Sequence, residues 1–107
     1  MNKVFKALAD PTRRRVLELL RERPMVAGEL SEHFPVSKPT MSAHFAVLRE
    51  ADLVEAKRHG KTILYRLKMS VLEDALLGFS QAFGFTNQSD RADSETGNFS
   101  GEEEKPS

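Results

Sequence analysis

The segment Ser37-Lys38-Pro39-Thr40-Met41-Ser42-Ala43-His44-Phe45-Ala46-Val47-Leu48-Arg49, followed closely by a short hairpin, constrains the fold of this chain more than any other stretch. Ser37 is a good N-cap, and Pro39 is tolerated in the first helical turn, where N–H groups have no partner within the helix. Met41, Phe45 and Leu48 fall at i, i+4 and i+7 and stack on one face. A stripe so narrow fixes a helix to a core by one side only. The opposite side carries Pro39, Thr40, Ala43 and Ala46, with Lys38, Ser42, His44 and Arg49 on the flanks. Small residues let a helix sink into a groove, where hydroxyl and basic groups meet phosphates and base edges. The same composition also fits an ordinary surface helix, so the flanking elements decide between the two.

Residues 53–58 and 61–67 read as two strands, with Ile63, Tyr65 and Leu67 alternating with Thr62, Leu64 and Arg66. His59-Gly60 is expected as the two-residue turn, since Gly tolerates positive φ. Lys57, Arg58, His59 and Lys61 make its tip basic.

Three helices are expected upstream. Residues 2–9 place Val4, Phe5 and Leu8 on one side. Asp10-Pro11 restarts the chain as a second helix over 12–23, with Val16, Leu19 and Leu20 inside and Leu17 nearby. Pro24 ends it. Residues 26–34 form the third, with Val26, Leu30 and Phe34 inward and a soft, uncapped start. Beyond the hairpin, residues 70–85 form a fifth helix with Ser70 as cap. Its apolar face holds Val71, Leu72, Ala75, Leu76, Phe79, Ala82 and Phe83. Four helices, a hairpin and a last helix make a mainly α winged helix-turn-helix: α–α–α–α–β–β–α.

The 107 residues suffice for one small domain. We place it at 1–85, followed by an acidic tail at 86–107 that is too polar to order itself. Residues 1–85 hold 14 Lys and Arg against 10 Asp and Glu; the tail holds 2 against 6. A basic body suits a polyanionic partner. The chain has no Cys, hence neither disulfides nor thiolate metal sites. It shows no signal peptide and no apolar run near the ~20 residues that span a bilayer, so a cytoplasmic protein without membrane insertion is expected. No nucleophile–base pair or phosphate-cradling Gly loop can be assembled, which argues against an enzyme; no cofactor is implied.

Phe5-Lys6-Ala7-Leu8-Ala9-Asp10-Pro11-Thr12-Arg13-Arg14, Ser37-Lys38-Pro39-Thr40-Met41-Ser42-Ala43-His44 and Leu53-Val54-Glu55-Ala56-Lys57-Arg58-His59-Gly60-Lys61 resemble the arsenic-repressor-like (ArsR) family of bacterial winged-helix repressors. The similarity covers roughly residues 1–80, with a subgroup of autorepressors nearest. It implies a homodimeric repressor whose fourth helix enters the major groove of double-stranded DNA while the wing touches the flanking minor groove or phosphates. Many members sense metals through Cys in the third helix or His and Asp in the last. This chain has neither Cys in the third nor His in the fifth, so no metal site is expected; Glu29 and His33 alone do not close one.

The candidate DNA-binding residues are Ser37, Lys38, Pro39, Thr40, Ser42, Ala43, His44 and Arg49 in the helix, and Arg58, His59 and Lys61 in the wing. Ala43 would offer a methyl to thymine, and Thr40 and Ser42 hydroxyls either wall of the groove. Ser42 could instead bond back within its helix. His44 lies near the apolar edge, where it either reaches DNA or packs inward. Arg49 reaches a phosphate or pairs with Glu50 or Glu55. Within Arg13-Arg14-Arg15, one side chain is expected to snorkel over apolar surface and another could hold a phosphate. Val4, Phe5, Leu8, Leu72, Leu76, Phe79 and Phe83 exceed what a small core needs and are expected at a two-fold dimer interface. Two other functions fit the architecture: a winged-helix protein-interaction module, or a repressor answering to an effector or partner protein that the sequence does not name.

Overall fold

A computed structural model describes residues 2–84. The expected acidic tail lies outside the described residues. Through Leu72 the chain forms one compact unit, and the described residues from Glu73 onward are the remainder of the last helix. The order is α1 (Asn2–Leu8), α2 (Pro11–Glu22), β1 (Met25–Val26), α3 (Ala27–Ser31), α4 (Lys38–Glu50), β2 (Val54–His59), β3 (Thr62–Leu67) and α5 (Met69–Ala82). This is the mainly helical fold with a hairpin that the sequence leads one to expect, plus one short strand.

That strand corrects the reading of residues 26–34. Pro24 disfavours helical backbone in the residue before it, and Arg23 is extended (φ −171°, ψ 159°). Met25 and Val26 continue extended and pair antiparallel with Tyr65 and Leu64, burying Met25. The sheet order is β1-β3-β2. Helix α3 therefore starts at Ala27 and ends at Ser31, leaving Phe34 in the turn that follows. Its N-cap, Val26, makes no side-chain cap bond, as expected, but one N–H at this end is satisfied from within the helix. The Glu29 carboxylate accepts the Val26 N–H at 3.3 Å and is itself held by Arg23 at 2.8 Å.

The core gathers Val16, Leu17 and Leu20 of α2, Leu30 of α3, Met41, Phe45 and Leu48 of α4, and Leu53, Val54 and Tyr65. Leu17 is buried and Leu19 only partly, the reverse of the expected ranking. Helix α1 packs against α2 and α4 with Val4 and Ala7 inward. Val4 is thus a core residue of this chain, which corrects its assignment to a partner-facing patch. The i, i+3 pair of Val4 with a small Ala lets the helix seat closely. Phe5 and Leu8 are half-buried.

Helix α4 ends in a Schellman turn. The Leu53 N–H bonds to the Leu48 carbonyl (3.1 Å) and the Asp52 N–H to that of Arg49 (2.9 Å). Asp52 takes the left-handed position (φ 61°) that Gly usually fills. Its carboxylate accepts from Lys68 at 2.7 Å. Leu48 and Leu53, the two residues such a turn brings together, are both fully buried.

Strands β2 and β3 pair from Val54↔Leu67 to His59↔Thr62. The two turn residues are therefore Gly60 and Lys61, one place later than expected. Gly60 has φ 60° at the first central position, as type II′ turns require. The Thr62 hydroxyl donates to the His59 carbonyl at 2.8 Å. A one-residue slip would turn every side chain over, and burial of Val54 and Tyr65 selects this register.

Helix α5 starts at Met69, so Ser70 lies inside its first turn and does not cap it. It stops at Ala82, short of the expected 85. Gly84 adopts φ 78° and its N–H bonds to Gln81, closing the end.

Candidate nucleic-acid interface

The interface is built outward from the buried stripe of α4. With Met41, Phe45 and Leu48 fixed inward, Lys38, Pro39, Thr40, Ser42 and Ala43 are all exposed. The Ser37 hydroxyl accepts the Thr40 N–H (3.3 Å) and donates to Thr40 Oγ1 (2.9 Å). Ser37 is thereby used as the cap, while the Thr40 hydroxyl keeps its own proton for an outside acceptor. Ser42 makes no hydrogen bond back to its helix among the described residues. Lys38 and Ser42 border a partly open groove of about 550 Å³ that runs past Phe45 to Ile63 and Tyr65 of β3. The Phe45 and Tyr65 rings stack at 4.7 Å, which ties α4 to the sheet.

Strand β2 leaves the core at once. Only Val54 is buried, and Lys57, Arg58, His59 and Lys61 are exposed at the tip. Arg58 donates to the Gly60 carbonyl at 3.4 Å. Arg49 is exposed with no ion pair among the described residues; Glu55 instead faces Arg66 across the strands at 3.8 Å. The Arg49 charge is felt by the Tyr65 phenol, but burial dominates there and pushes that hydroxyl up.

His44 does not join the outward set. Its side chain is 15% exposed, and Nδ1 lies 3.2 Å from Arg13 Nη1 and 3.9 Å from Asp10 Oδ2. The inward alternative left open by the sequence is the one adopted. Of the three consecutive arginines, Arg13 and Arg14 serve the last carbonyls of α1. Arg13 donates to Lys6 and Ala7 (both 2.9 Å) and Arg14 to Leu8 (2.8 Å). Arg15 pairs with Glu18 at the surface. The Asp10–Arg13–His44 cluster is not legible in the sequence, whose only signal for it is an Arg three places after an N-cap Asp.

Desolvation pushes the Asp10 carboxyl up. The Arg13 and Thr12 N–H groups, the His44 ring and the Arg13 guanidinium outweigh it, and the carboxyl titrates below its ordinary value. A carboxyl held low in the folded state stabilises above its unfolded pKa, about 3.9, and that gain fades as pH falls through the folded value. Chemical denaturation of the wild type and Asp10→Asn from neutral to acid pH should show the wild type's advantage shrinking below about pH 4. An advantage that is constant across that range would contradict the assignment.

Among the described residues no three His, Cys, Asp or Glu side chains converge on a metal position, and no helix is long and apolar enough to cross a membrane. On α5, Leu76 and Leu77 are 46% and 49% exposed; Phe79 and Phe83 are exposed too, their rings 4.8 Å apart, and Leu72 is half-buried.

The profile of the family described as "Bacterial regulatory protein, arsR family" matches residues 10–56. The transcriptional repressor SdpR of Bacillus subtilis (strain 168) is 46% identical over 76 residues, covering 71% of this chain and 84% of that protein. The arsenical resistance operon repressor of Staphylococcus xylosus is 34% identical over 73 residues, covering 68% of this chain and 70% of that protein. Among solved structures, an ArsR family transcriptional regulator superposes with a TM-score of 0.74 over 81% of this chain and 96% of that one; at 24% identity it speaks for the fold alone.

Proposed function

Since this chain belongs to the arsR family of bacterial regulatory proteins, we propose that it is a sequence-specific DNA-binding transcriptional repressor. It acts in the cytoplasm as a homodimer on an inverted-repeat operator, upstream of its own gene, and carries out no catalysis. The observation that carries this reading is the split of α4. Three large apolar side chains hold it to the core, while Lys38, Pro39, Thr40, Ser42 and Ala43 stand exposed on the rest of its surface. Thr40, Ser42 and Ala43 address base edges, and Lys38 and Arg49 address phosphates. The basic hairpin tip, with Arg58, His59 and Lys61, lies along the flanking minor groove. Exposed Leu76, Leu77, Phe79 and Phe83 support a second copy docking on α5; Phe5, Leu8 and Leu72, half-buried in the first unit, are proposed as further partner contacts on their own account. A two-fold pair presents two reading helices about 34 Å apart, one DNA turn.

The test is an anisotropy titration against the DNA upstream of the gene, with random DNA as competitor, at two salt concentrations and with and without EDTA. Competitor-resistant, EDTA-insensitive binding that weakens steeply with salt is expected. Arg58→Ala and Lys61→Ala should each reduce the salt slope by about one unit. Sedimentation should give twice the 12.0 kDa chain mass. Binding no tighter than to random DNA would overturn the operator assignment.

A further inference from the structure

The Arg13 guanidinium uses all three of its nitrogens. Nε donates to the Ala7 carbonyl and Nη2 to that of Lys6, both at 2.9 Å, while Nη1 meets His44 Nδ1 at 3.2 Å. Arginine carries donors only, so this contact is a hydrogen bond when the imidazole is neutral, with Nδ1 accepting and the ring proton on Nε2. Asp10 fixes the other end, accepting the Arg13 backbone N–H at 3.0 Å. One planar group thus joins the end of α1, the start of α2 and the flank of α4.

The seam of α4 makes this contact consequential. Apolar burial is non-directional; Met41, Phe45 and Leu48 set how deep the helix sits but constrain its roll about that seam weakly. Hydrogen bonds are directional. The Arg13–His44 contact lies on the helix flank, one residue from Ala43 and two from Ser42. Recognition geometry tolerates errors of only about 0.5 Å or 10–20°. We propose that Arg13 is a positioning residue, which sets the roll of α4 against the carbonyl end of α1 and so decides which side chains face the bases. This deepens the DNA-binding reading above and rests on it.

Arg14 is an internal control. It caps the same helix end through Leu8 and has no contact with α4 among the interactions of the described residues. Operator and random-DNA affinities are measured at one salt concentration, alongside thermal midpoints, for the wild type and four variants. Lys in place of Arg13 keeps the charge but loses the planar fork that serves two carbonyls and an imidazole together. Arg13→Lys should lower the operator-to-random affinity ratio about tenfold, in line with measured couplings between contacting residues, while random-DNA binding stays nearly constant. Arg14→Lys should leave the ratio unchanged. His44→Leu should repeat the loss, and His44→Asn, whose amide oxygen can stand where Nδ1 stood, should recover most of it.

An unchanged ratio in Arg13→Lys, an equal fall in Arg14→Lys, or no difference between His44→Asn and His44→Leu would overturn the proposal. Should Arg13→Lys fail to fold, the two His44 variants decide. A wild type that does not prefer its operator would instead refute the DNA reading, before any variant is compared.

Discussion

Replacing Ala43 with Glu is expected to lower operator affinity at least about 100-fold, or ~2.7 kcal/mol, while the protein stays folded. Ala43 is exposed in the middle of α4, on the side away from Met41, Phe45 and Leu48. Glu is a good helix former, and an exposed substitution of this kind changes stability by about 0.5 kcal/mol or less. For a domain of this size that shifts the thermal midpoint by no more than ~4 °C. On DNA the consequence is different in kind. The methyl group that leaves room for a base edge is replaced by a carboxylate held between two phosphate walls, without a cation to neutralise it. Anisotropy titration and a melting curve on the same sample check both halves. Retained operator binding would mean that α4 does not enter the groove.

Leu48→Ala should do the opposite. Leu48 is 0% exposed and lies on the far side of the same helix. Truncating such a residue costs about 2–5 kcal/mol, through lost transfer energy and the cavity left behind. Against a total stability of roughly 5–15 kcal/mol, that leaves a marginal protein. At ~4–8 °C per kcal/mol the midpoint should drop by about 8 °C or more. Operator affinity, measured well below the new midpoint and corrected for the unfolded fraction, should change far less than in Ala43→Glu. A denaturation cost under about 1 kcal/mol would contradict the burial of Leu48. Together the two variants would separate a face that holds the helix from the face proposed to contact DNA, at residues five apart in sequence.

The sequence revealed the elements whose signals are local. Ser37, Pro39 and the 41-45-48 stripe announce α4 without reference to anything distant, and Asp10-Pro11 announces α2. What it left open depended on partners far along the chain. Strand β1 is two residues long and exists because Tyr65 and Leu64 are there to pair with it. The hairpin turn could use Gly60 as its first or second central residue, and only burial of Val54 and Tyr65 decided. His44 could point either way until Arg13 was seen to reach it from α2. Val4 looked surplus on a short amphipathic helix but is needed to seat α1 on α2 and α4. Gly84, by contrast, was a legible stop for α5 that the apolar periodicity through Phe85 masked.

The Schellman turn at Asp52 leaves no slack between helix and hairpin: α4 closes on Leu53, whose neighbour Val54 already belongs to β2. With Leu48 and Leu53 both buried in the core, α4 and the hairpin are joined like the two arms of a caliper. In the proposed docking, so short a connection gives the two elements little freedom to follow a DNA site whose grooves are spaced differently. The adjustment falls to the duplex, through bending or groove width, and its cost depends on the stiffness of base pairs that the protein never touches. With α4 and the wing docked as proposed, part of the selectivity would be mechanical and should extend to base pairs lying between the two contacts.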